Sequence, residues 1–143
     1  MAHGRAQKLV EGAVVAIPLP GKRWALGQVL VPGISFYFGA ATAPFNQLPK
    51  ASDIEGLSFT VFSWTNDAEV YRGNWKCLGT HALQSCSSLL PEYKVGMPKG
   101  LMVEAFSGEI LRPYDPKIDA HLEYRKSRSP LLVQDMVWRA CGE

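Results

Sequence analysis

Apolar residues along this chain fall into short runs, and the runs are cut by Pro, Gly, Asn and Asp. Ala13-Val14-Val15-Ala16-Ile17 and Trp24 to Val31 flank Pro18-Leu19-Pro20-Gly21, which predicts an antiparallel hairpin. Proline has no backbone donor and a fixed φ, so Pro18 and Pro20 belong at a strand end or an edge. Gly21 can take the positive φ that the turn requires. Pro32-Gly33 predicts a second turn, and Ile34 to Gly39 a third, aromatic-rich strand. From Ala40 to Gly56 the pattern dissolves, and the stretch reads as a connection carrying a short helical turn. Alternation then returns in Leu57-Ser58-Phe59-Thr60-Val61, which places Leu57, Phe59 and Val61 on one face of a strand reaching Trp64.

Thr65 to Ala68 and Arg72-Gly73-Asn74 are turn chemistry, and Trp75 to Thr80 reads as another strand. Ala82 to Leu90 is Ser-rich, and residues 91–100, with two prolines and two glycines, read as a loop. Leu101–Phe106 and Glu109–Arg112 flank Ser107-Gly108 as a short hairpin, which Pro113-Tyr114-Asp115-Pro116 ends. Leu131 to Ala140 repeats at helical spacing through Leu132, Met136 and Trp138, behind Ser129-Pro130 as cap and first turn. The pattern predicts an α+β, mostly β fold: an antiparallel twisted sheet or partly open barrel with a C-terminal helix. One domain over residues 1–143 is expected, with residues 1–11 loosely held.

Composition adds limits rather than direction. The chain has 143 residues, 47% of them hydrophobic and 20% charged, enough to build a core without disulfides or metal. The formal net charge is +2, with five basic and one acidic residue in 1–50, six and nine in 51–119, and four and three in 120–143. A chain-wide attraction to phosphate is therefore not indicated, and the middle is the acidic part. Cys77, Cys86 and Cys141 are odd in number and lack a framework spacing, so free thiols and a cytoplasmic setting are expected. Glu11 and the two prolines spoil any reading of Ala13–Leu19 as the apolar part of a signal peptide.

Candidate chemistry is thin. Cys77, His81 and Cys86 lie within ten residues, but zinc favours four ligands and there is no C-x-x-C knuckle. No G-x-S-x-G elbow, H-E-x-x-H or phosphate-cradling glycine loop occurs. The carboxylate pairs Asp67/Glu69 and Asp115/Asp119 read as solvated loop charges with no neighbours to perturb them. Tyr124-Arg125-Lys126-Ser127-Arg128 joins a ring to cations and could touch RNA, although such runs are more often solvated surface. Trp24, Trp75 and Trp138 read as core, whereas Trp64 stands at a strand end before a turn and is the best single interface anchor. No catalytic residue, metal or cofactor is expected.

Gly12 with the run ending Ile17-Pro18-Leu19-Pro20, then Trp24-Ala25-Leu26-Gly27-Gln28-Val29-Leu30, then Arg72-Gly73-Asn74-Trp75-Lys76-Cys77-Leu78-Gly79, resemble the immunity protein 26 family. The match covers about residues 11–82. The resemblance implies a bacterial cytoplasmic protein, without catalysis of its own, that binds a cognate toxin domain of a polymorphic toxin system and blocks it. The implied partner is a protein rather than a membrane or a nucleic acid, with a nuclease as one candidate toxin. Asp53, Glu55, Asp67 and Glu69 would meet a basic cleft, with Trp64 as the anchor. The competing class is a small β-barrel nucleic-acid-binding module or a growth-inhibitor-type endoribonuclease, whose opening hairpin looks similar.

Overall fold

In the computed structural model, which describes residues 9–83 and 90–142, the chain is 40% strand and 15% helix. It forms two antiparallel sheets, neither closed into a barrel, and a C-terminal helix. Two compact units divide it: residues 1–85 with 127–143, and residues 86–126.

The larger unit is a five-stranded sheet in the order β4-β3-β2-β1-β5. The predicted hairpin is its centre. β1 (Ala13–Leu19) pairs with β2 (Arg23–Val31) from Val14↔Gln28 to Leu19↔Arg23. Pro20 and Gly21, with φ 79, supply the residues that a type II turn asks for, and Lys22 follows with φ 60. Pro18 lies beyond the last β1 residue that β5 pairs, Ala16, so its missing donor leaves no gap on that side. β3 (Phe36–Ala41) and β4 (Phe59–Thr65) extend the sheet on one side, and β5 (Lys76–Thr80) on the other.

The sheet is buried on both faces, which is why its central strands read as continuous apolar runs. On one face Val15, Ile17, Val29, Phe38, Val61 and Trp75 pack against Val133 and Val137 of α2 (Pro130–Ala140). On the other, Val14, Ala16 and Leu26 pack beneath Ile54, which sits in a 3-10 turn over Ala51–Ile54. Side chains interlock across the strands. A Cβ on Gly27 would overlap the Phe38 ring, and one on Gly39 would come within 2.8 Å of Phe59.

Three of the four strand pairs carry a bulge, and one of them corrects the sequence reading. Ala40 pairs with Val61 but Ala41 with Phe59, so Thr60 is an extra residue. Strict alternation would keep Leu57, Phe59 and Val61 on one face. Instead Val61 joins the helix-side core, while Leu57 and Phe59 join the opposite one. The third strand also starts later than expected, at Phe36, and leaves Ile34 in the turn.

α2 begins where Ser129-Pro130 predicts: Pro130 is in the first turn and the Ser129 hydroxyl accepts the Leu132 N–H at 3.2 Å. Its buried side is set by Pro130, Val133 and Val137, with Met136 and Trp138 flanking, and Leu131 and Leu132 are exposed. Leu132 therefore lies off the face that its spacing suggests. A four-residue helix, α1 (Ala68–Tyr71), stands between the two turns after β4.

The smaller unit is a meander of β6 (Tyr93–Met97), β7 (Gly100–Glu104) and β8 (Ile110–Pro113). β6 corrects the loop expected over residues 91–100. Tyr93, Val95 and Met97 alternate there, and the prolines and glycines lie at its limits or, for Gly96, on an exposed strand position. The reversal after β7 uses three residues, 106–108, closed by Ala105 N–H to Glu109 O at 2.8 Å with Gly108 at φ 96. The Ser-rich stretch is largely residues 84–89, outside the described residues.

Candidate functional site

The five residues singled out for partner contact do not form one patch. Asp53 and Glu55 belong to the 3-10 turn on the β5 side of the sheet, where Ala51 packs 3.8 Å from where a Gly79 Cβ would lie. Asp53 Oδ2 accepts the Lys50 N–H at 2.8 Å and so stabilises that turn. The Glu55 side chain is 73% exposed, and its Oε2 lies 3.1 Å from Nε2 of His81. Trp64 and Asp67 are at the other edge, on and after β4. Trp64 is half-buried, tilted on Tyr37 at 5.3 Å, and Tyr37 stacks on Phe62 at 6.2 Å. Its carbonyl accepts the Arg128 N–H at 2.9 Å. Asp67 occupies the N-cap position of α1, but it is the Asn66 side chain that accepts the Ala68 N–H, at 2.9 Å.

Glu69 departs from its expected role as a solvated loop charge. It is 3% exposed, and its carboxylate accepts from Arg72 and from Asn74 at 2.6 Å each. Its carbonyl accepts the N–H groups of Asn74 and Trp75 at 2.9 and 3.0 Å. Glu69 thus clamps the connection that carries the chain from β4 to β5 and seats Trp75, whose ring stacks on Phe38 at 5.6 Å and whose Nε1 donates to Gln134. The Asn74 amide most strongly holds the carboxyl below its ordinary value, burial opposes this, and Arg72 adds to it.

Asp119 is the second exception to the expectation that neither carboxylate pair is perturbed. It is buried, accepts the Asp115 N–H at 2.9 Å and the Arg112 guanidinium at 2.7 Å, and its carboxyl is lowered by those bonds in that order. The basic segment is likewise engaged with protein groups. Arg125 bonds Glu104 at 3.2 Å and the carbonyls of Ala105 and Phe106, and lies 4.4 Å over the Tyr93 ring. Arg128 donates to the Ser63 hydroxyl at 3.1 Å, and Tyr124 receives the Lys94 ammonium 4.8 Å from its ring centre.

Cys77 is half-buried on β5 against the helix-side core, and Cys141 packs against the same core. Cys86 lies outside the described residues. Among the described residues no three His, Cys, Asp or Glu side chains gather as metal ligands, and no helix is long and apolar enough to cross a membrane.

One end of the five-stranded sheet has features that the sequence reading passed over. There the start of β1, the β2–β3 turn, the end of β4 and the end of β5 lie side by side, because all neighbouring strands are antiparallel. Ile34 stands at the tip of the turn and is 96% exposed. Val10 and Leu83, on the flanking segments, are exposed as well. The Gln28 side chain is buried, and its amide donates to the carbonyls of Gly12, His81 and Ala82 at 3.2, 2.9 and 3.2 Å, while His81 N–H donates to Gly12 O. Gly12, at φ 87, lets His81 approach: a Cβ there would lie 2.7 Å from the His81 oxygen. The signals were present as a single Gln in the otherwise apolar run Trp24–Val31 and an Ile directly after Pro-Gly.

No protein-family model, curated protein or solved structure matches the chain.

Proposed function

We propose that this chain is an immunity protein of a bacterial polymorphic toxin system, acting in the cytoplasm by binding a cognate toxin domain and neutralising it. What carries the reading is the placement of the segments that resemble the immunity protein 26 family. The Gly12–Leu30 segment is the β1–β2 hairpin, and the Arg72–Gly79 segment leads into and forms β5, the strand hydrogen-bonded to β1. The glycines in those motifs stand where the backbone needs them: Gly12, Gly73 and Gly79 have φ of 87, 84 and 127. Motifs separated by about forty residues therefore converge on one structural unit. A rigid sheet with exposed loops at its ends suits a protein that acts by covering another protein's site.

The test is protection. The toxin domain encoded by the neighbouring reading frame is expressed with and without this chain, and growth and complex formation are measured. Rescue with a stable complex is the expected result, and growth arrest undiminished by the chain, with no complex, overturns the proposal. RNA filter binding across a salt series addresses the nucleic-acid module: tight retention that falls steeply with salt would replace the immunity reading.

A further inference from the structure

We draw no further inference here: the strongest candidate, the apolar face of the three-stranded sheet on which Val95, Met102 and Pro113 stand side by side across β6, β7 and β8, carries none, because nothing in the structure shows what covers it.

Discussion

Gly27 and Glu69 show how much of this fold depends on single side chains, or on the lack of one. Gly27 leaves room for the Phe38 ring, and a Cβ there would also lie 2.9 Å from the Gly39 carbonyl oxygen. Neither neighbour can yield freely, because Phe38 is pinned between Phe36 and Trp75. Gly27→Ala should destabilise the protein by about 1–3 kcal/mol, read as a lower urea midpoint with an unchanged slope. Glu69→Gln removes the charge that Arg72 and Asn74 bond while keeping the shape. A loss of about 1–3 kcal/mol is expected, kept modest because Arg72 is mostly exposed and solvent screens it. Trp75 fluorescence would follow the loosening of the β4–β5 connection. The sequence offered Glu69 only as one acid near another; its burial depends on a crossover that has no local signature.

Elements were more legible than their pairing. The β1–β2 hairpin, β5 and α2 could be read because turn chemistry and caps are local, and the structure places each within one or two residues of where those signals fall. The Ser129 hydroxyl makes its bond to the first turn, so Ser129→Ala should cost about 1 kcal/mol, measurable by thermal or urea unfolding. β6 escaped because Gly96 and Pro98 look like loop punctuation. Only the antiparallel partner β7, which supplies Met97↔Gly100 across the two-residue turn, makes that segment a strand. Spacing alone puts Leu132 on one helical stripe with Met136, whereas the buried face of α2 is fixed by which side chains meet Val15, Ile17 and their neighbours.

Across the molecule, among the described residues, each unit contains one buried carboxylate with a lowered pKa: Glu69 in the five-stranded unit and Asp119 in the three-stranded one. Both are ionised and bonded in the folded state. Their contribution is complete above the pKa of the unfolded side chain, about 4, and is lost as pH falls through the lower folded value. The melting temperature should therefore be flat from neutral pH to about 5 and fall below about 4. In Glu69→Gln the acid-induced fall should be shallower, which a pH series of melting curves would read. Acid sensitivity of this kind could not be taken from net charge, because it depends on which acids are enclosed. The end of the sheet around Ile34 was hidden for a related reason. Its parts come from four distant segments, and only strand order makes them neighbours.

Thr60 has a consequence for how this chain can vary in length. Since Ala40 meets Val61 and Ala41 meets Phe59, a version shortened by that one threonine keeps the strand partnerships on either side and loses the hydrogen bond to Thr42 at 3.3 Å. Shortening β1 by one residue at Ile17 instead would reverse the inward and outward assignments of everything beyond the cut. The outer strand can thus absorb a codon lost at Thr60, while the centre of the sheet cannot.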